Sequence, residues 1–473
     1  MLDDTPRSMW HLTMWVGVVV TGVMIALVIM YSLHMSFNVP RSDAWYFIHM
    51  IVRPLHEGTF AITNLVTVRD PSLGINLWYK LFLALNYELF QLDYALESSV
   101  AALAHVVLGV LITVSYIKNA PDSALIIKLA GVCSVLLALF SMNSYTQYTW
   151  SLLGFNYVYV SVGLWLFMLL DGWVKGKDQH VYILAIAALL ISSGANMGDL
   201  LVVSAVIFSL FYAVKSRERV KIQFAVLFFI AVLISIWVRS NLTLSVTTDM
   251  PGMMERASDI LGDLDLMIVA LFRAIAQGVV TIEILEKVKC CEPKWLSFYL
   301  GMSIAVIQLT TLYYYLKNKH SQKNSVPVML MIVPYLAILG IVVKRVPTFG
   351  EETIFSPRYV FMFQLSLVSW IWMMGYILGA KHRLKFVKIH LPSISIIGAV
   401  FFCMILLQSV YLNRAFHTAP YISAFYQKIR TDIKEAAEKH KSGIPVEITY
   451  CQHADCQRNS AFLKAAKLSL FAK

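Results

Sequence analysis

Stretches of about twenty apolar residues recur along this chain, and they restrict its fold more than any other feature, because a segment crossing hydrocarbon must pair its backbone polar groups internally. The first is WHLTMWVGVVVTGVMIALVIMYSL, Trp10 to Leu33. It exceeds the ~7 to 15 apolar residues of a signal peptide and no small-residue cleavage site follows it, so it reads as a retained anchor. Further spans are expected at 96–116, 124–142, 152–171, 180–196, 199–214, 222–238, 296–316, 326–343, 360–380 and 392–412, about eleven in all. With 58% hydrophobic and 14% charged residues, the 473-residue chain reads as an all-α integral membrane protein in contact with lipid.

The net charge of +11 would fit nucleic-acid binding if it formed one patch, but its distribution excludes that partner. Basic residues occupy alternate links between spans: Lys118 and Lys128; Lys175 and Lys177; Lys215, Arg217, Arg219 and Lys221; Lys317, Lys319 and Lys323; Lys381, Arg383, Lys385 and Lys388. The positive-inside rule makes these links cytoplasmic, with the chain starting inside and finishing outside.

Two outer links are long, 35–97 and 239–295. The first carries apolar residues at helical spacing in segments too short and too charged to span, so interfacial helices are expected there. In the second, 266–285 reads as amphipathic or re-entrant because Arg273 and Gln277 interrupt it, with an extra crossing left open. Residues 1–412 are read as the membrane unit and 413–473 as a small outer tail, holding a surface helix up to Gly443 and then a short strand and turn. Cys290 and Cys291 fall in an outer loop and Cys451 and Cys456 in the tail, as disulfide candidates. A bridge from the loop to the tail, a local Cys451 to Cys456 bridge, and four free thiols are all compatible with that spacing.

No phosphate-cradling loop, nucleophile elbow, HExxH or zinc-type Cys/His spacing is present, so neither a cofactor nor a metal site is expected. Four outward stretches hold the unusual polar residues: PRSDAWYFIHMIVRP, NSYTQYTWSLLGFNYVYV, SSGANMGDL and KRVPTFGEETIFSPRYVFMF. The topology brings all four to one face.

These stretches resemble the GT-C superfamily of polytopic membrane glycosyltransferases, most closely the bacterial branch of O-antigen glucosyltransferases. An aspartate just past the first span, Asp43 in SDAWY, carries the likeness, with Trp150, Gly154, Asn156 and Tyr157 in WSLLGFNY. Gly194, Asn196 and Asp199 match an acidic turn, and the Arg358-Tyr359 pair opens a late span. Ala44 departs from the paired acidic motif often found after the first span. The resemblance implies an inner-membrane, inverting hexosyltransferase with a GT-C-like bundle and a periplasmic site. Its donor would be a polyprenyl-phosphate sugar and its acceptor a glycan or lipid-linked glycan of the lipopolysaccharide type.

That reaction needs a base at the acceptor hydroxyl and a cation at the leaving phosphate. Asp43 is the expected base, although it also suits a cap for the helix starting at Trp45 or a partner for Arg41. Arg358 is the first choice for phosphate, because guanidinium binds phosphate bidentately, with Arg53, Lys344 and Arg345 next. Asp199, Glu351 and Glu352 are expected to orient sugar hydroxyls. A polymerase or ligase using a diphosphate-linked glycan, and a non-enzymatic transporter, are the alternatives.

Overall fold

The computed structural model describes residues 7–41, 43–68, 74–120, 125–245, 264–286, 292–380, 383–386, 389–440, 448 and 456–472. They form an all-α, multi-pass membrane protein, with ten helices long and apolar enough to cross a bilayer among the described residues. The membrane helices are α1 (Arg7–His34), α2 (Tyr94–Asn119), α3 (Leu125–Leu139), α4 (Asn156–Val174), α5 (His180–Ser192), α6 (Asn196–Ser216), α7 (Arg219–Leu242), α8 (Pro293–Lys317), α9 (Val326–Phe349), α10 (Pro357–Ala380) and α11 (Ser393–Lys439). The short one is α5, whose 13 residues reach only about 20 Å. Trp173 donates to His180 at its start, and Arg239 donates to the Ile191 carbonyl near its finish.

Hydrogen bonds across each end of the bundle verify the alternation read from the charged links. At the lysine-rich end, Lys175 bonds Asn119, Ser325 bonds Asp171 and Lys215 bonds the Leu316 carbonyl. At the opposite end, Leu77 bonds the Ser193 carbonyl, Asn143 bonds the Gln277 carbonyl and Gln147 bonds the Arg358 carbonyl. The two long outer links meet there as well: β1 (Thr67–Val68) pairs in parallel with β2 (Leu244–Ser245). A hairpin of β3 (Arg383–Phe386) and β4 (Ile389–Pro392) joins α10 to α11.

The centre of the bundle is α10, whose most apolar stretch is 83% buried, against 22% for α7. Its sequence is apolar on every side, as a fully enclosed helix requires. Two of its buried serines bond across the bundle: Ser369 donates to the Pro327 carbonyl and Ser366 accepts from Gln308. By contrast α7 turns Leu227, Ile234 and Trp237 outward, where lipid is their natural solvent. Helices α2, α3 and α10 meet around one phenol. A methyl group on Gly131 or on Gly375 would lie about 2 Å from the Tyr116 hydroxyl, so only glycine lets that ring sit between the two backbones.

Two expectations need correction. The chain does not break at Leu412: α11 continues through Pro420 for 47 residues, about 70 Å. Packing outweighs the bond lost at the proline, because Ala415, Tyr426, Ile429, Ile433 and Ala436 are all buried along the helix beyond the membrane. Second, helices do form in the 35–97 link, at Ala44–Phe47, Arg53–Glu57, Ile62–Val66 and Leu77–Phe90, but they are not simply interfacial. Trp45 is 1% exposed and Phe47 4%, because the tail closes over them. Asn459 donates to the Trp45 carbonyl, and Ser469 donates to the Gln91 and Asn38 carbonyls. In line with the amphipathic reading of 266–285, a helix, Leu264–Gln277, packs there on α8 and α9. Its 14 residues are too few to span.

Lys80 fixes the first outer link. Its ammonium is fully buried and donates to the carbonyls of Asn64, Leu65 and Thr67 at 3.3, 2.9 and 2.7 Å, the acceptors left over at the end of a short helix. Burial pushes it down to about 8. Lys80→Met orphans three acceptors, which outweighs the relief of desolvating one cation, so a net loss of about 1 to 3 kcal/mol is expected. Because the folded value lies below the unfolded 10.5, the unfolded chain binds more protons between about 8 and 10.5. The advantage of wild type over the variant therefore grows as pH rises through that window. Paired melting curves in detergent at pH 7 and 9.5 check both signs.

Candidate functional site

The end of the bundle opposite the lysines gathers two of the four outward stretches around the turn 147–150, and a third touches it. Arg41, just after α1, lies 5.0 Å from the Trp150 ring centroid and 5.6 Å and 5.7 Å from those of Phe425 and Tyr426. It donates to the Tyr426 hydroxyl at 3.0 Å, and that hydroxyl donates to the Thr149 carbonyl. From the other side Gln147, 1% exposed, donates to the Arg358 carbonyl at 2.9 Å, while its Oε1 has no partner among the described residues. The Arg358 guanidinium lies 4.9 Å from the ring centroid of Tyr359, its Nε buried and without a hydrogen bond, and it pairs with no carboxylate among the described residues. Arg41 and the backbone of Arg358 thus meet the same short segment, 147–150.

Asp43 is half-buried beside this cluster. Its backbone carbonyl accepts from Tyr46 and Phe47 and starts the helix Ala44–Phe47, but its side chain makes no capping bond. No ion pair with Arg41 forms either, so neither structural role read from the sequence is filled. Its carboxylate is left without a side-chain partner among the described residues. The cleft beside it, lined by Arg41, Ala44, Tyr94, Trp150 and Tyr426 among others, holds about 10 Å³, room for one water.

The other expected residues lie elsewhere on the same end. Both Asp199 oxygens accept from Arg239 at 2.7 Å, in a bidentate pair that joins the start of α6 to the end of α7. Glu351 stands between Arg273 at 3.0 Å and Lys294 at 2.7 Å, and Glu352 is 3.6 Å from the same arginine. The Arg273–Glu351 contact is an ion pair by distance whose angles miss hydrogen-bond geometry. Arg53 pairs with Glu57 at 2.6 Å, one turn on, and its hydrogen bond holds that carboxylate below its ordinary value. Asn156 is half-buried, Tyr157 is stacked in the core on His105 at 3.9 Å, and Asn196 is exposed. Lys344 is exposed and Arg345 half-buried on α9. Cys456 is disulfide-bonded, whereas Cys290, Cys291 and Cys451 lie outside the described residues.

Sequence reasoning missed Gln147, Tyr426, Arg414 and the positioning part of Arg41. Arg414 bonds Thr281 at 3.1 Å and Glu283 at 2.9 Å and lies 5.5 Å from the Tyr145 ring centroid, which ties α11 to the second outer link. No local signal marks Tyr426, which is 385 residues from the arginine it meets. No group of three or more His, Cys, Asp or Glu side chains suited to a metal occurs among the described residues. Comparison with family models, with curated proteins and with solved structures finds no match to this chain.

Proposed function

We propose that this protein is a GT-C-type glycosyltransferase of a bacterial inner membrane, moving one sugar from a polyprenyl-phosphate donor to a surface-glycan acceptor on the periplasmic face. One observation carries the reading: Asp43, whose carboxylate has no side-chain partner among the described residues, stands at the same end of the bundle as Arg358, whose guanidinium pairs with no carboxylate among those residues. In the proposed reaction an acceptor hydroxyl attacks the anomeric carbon and Asp43 takes its proton. The bond from that carbon to the phosphate oxygen breaks, and the polyprenyl phosphate leaves with the electron pair beside Arg358. Entry of the donor requires Trp150 and Tyr426 to part, since the cleft between them is one water wide.

The test is transfer by the purified protein in detergent from a defined polyprenyl-phosphate sugar to a glycan acceptor. Arg358→Ala is expected to raise KM and lower kcat together, reducing kcat/KM by about 10- to 100-fold, because the charge serves the phosphate before and during departure. Arg41, at the same end of the bundle as Arg358, favours a second reading, a polymerase or ligase whose diphosphate carrier engages both arginines. Transfer from a diphosphate-linked glycan, with none from the monophosphate donor, would select that reading and reject the first.

A further inference from the structure

At the lysine-rich end a second cavity opens between α2 and α4, with a volume of about 200 Å³. That is an order of magnitude above the ~10 to 15 Å³ that holds one water on the same measure. Lys118 and Asn119 line it from the end of α2, and Lys175 and Lys177 from the end of α4. The local backbone explains the second pair. Gly176 adopts φ +84°, Gly176 N–H bonds the Trp173 carbonyl and Lys177 N–H bonds the Gly172 carbonyl, a helix ending that only glycine enters without strain. Lys175 is then clamped by Asp171 and Asn119 at 2.5 and 2.6 Å, while the Asp171 carboxylate also accepts twice from Ser325. Among the described lining residues, three lysines stand against one aspartate, an excess of two positive charges. Lys118 and Lys177 are exposed and free to turn toward a ligand.

Two further observations point to what fills it. Ser115 lines the cavity at 1% exposure, and its hydroxyl has no hydrogen-bond partner among the described residues, a donor awaiting an acceptor. Trp165 lines the same cavity and is 53% exposed on the outer surface of α4, where the neighbouring solvent is lipid. A ligand here meets cations and a hydroxyl at one end and an indole facing the bilayer at the other. We propose that this cleft binds the headgroup of an anionic phospholipid, with the phosphate between Lys118, Lys177 and Ser115 and an acyl chain along Trp165. The apolar wall decides for a lipid over a soluble phosphate, and the site is independent of the chemistry at the opposite end.

The test uses the full-length protein purified in detergent, incubated with equal phosphatidylglycerol and phosphatidylcholine and read by native mass spectrometry. Wild type is expected to retain phosphatidylglycerol over phosphatidylcholine, and Lys118→Gln/Lys177→Gln to lose that preference by about tenfold or more. Both side chains are exposed, so the fold should survive, and an unchanged melting temperature checks this. Lys317→Gln/Lys323→Gln, on another basic link, should leave the preference intact. Equal retention of the two lipids by wild type, or equal loss in both double variants, overturns the proposal. Displacement of the lipid by inorganic phosphate at matched ionic strength would overturn it in favour of a free anion.

Discussion

Asp43→Asn is expected to lower sugar transfer by roughly 10²- to 10⁴-fold, the range that a positioned general base contributes. The substitution keeps the shape of the side chain and removes only its capacity to take a proton. Because the Asp43 side chain makes no capping bond and no ion pair among the described residues, asparagine breaks no contact, and the melting temperature should stay at the wild-type value. Donor binding should also be preserved, since the phosphate is assigned to Arg358 and not to Asp43. The loss then appears in kcat with little change in KM, the sign of an interaction made only in the transition state. A folded Asp43→Asn protein that transfers sugar at the wild-type rate removes Asp43 from the chemistry and the proposed mechanism with it. In the proposed mechanism the place of Asp43, past the first span, suits a lipid-linked donor that presents its phosphate just above the hydrocarbon.

Hydrophobic spacing made the spans legible, since each must satisfy its own backbone and so writes its length into local sequence. Even α5, shorter than a usual span, lies at nearly the expected place, because the basic links at 175–177 and 215–221 leave room for a pair of helices between them. The continuous α11 was not legible. Pro420 reads locally as an end, and only the burial of Ile429 and Ile433 against distant elements keeps the helix intact. The same difference separates the candidate residues. Asp43 and Arg358 are marked by type and by position at a span end, whereas their surroundings come from Gln147 and Tyr426, brought in by helices far away in the chain. Asp199 is marked in the sequence by its acidic turn, but its partner Arg239 lies 40 residues on and leaves no local sign. A single sequence carries no record of such pairings, because charge complementarity between helices has no periodicity.

Glu351→Gln is expected to destabilise the protein by about 3 to 5 kcal/mol, the cost of leaving a buried partner charge uncompensated. The Arg273 side chain is 4% exposed and faces Glu351 at 3.0 Å, with the exposed Glu352 farther off at 3.6 Å. Phe355 stacks on the guanidinium 4.3 Å away, which desolvates it further, and Ser297 accepts only one of its hydrogens. Lys294, the second partner of Glu351, is 36% exposed and can turn to water, so the penalty falls on Arg273. The pair closes the helix Leu264–Gln277 over the ends of α8 and α9, so its loss should loosen the second outer link first. Proteolysis near residue 264 should then precede global unfolding. Arg273→Met/Glu351→Leu replaces both charges with apolar groups and should recover most of the lost stability, because burying ions costs nearly what their attraction returns. The alternative, that Glu351 orients a sugar hydroxyl, gives the opposite pattern: Glu351→Gln would melt with wild type and transfer poorly, and the double variant would rescue nothing. Melting temperature and transfer rate measured on the same three preparations separate a carboxylate that holds the fold from one that holds the substrate.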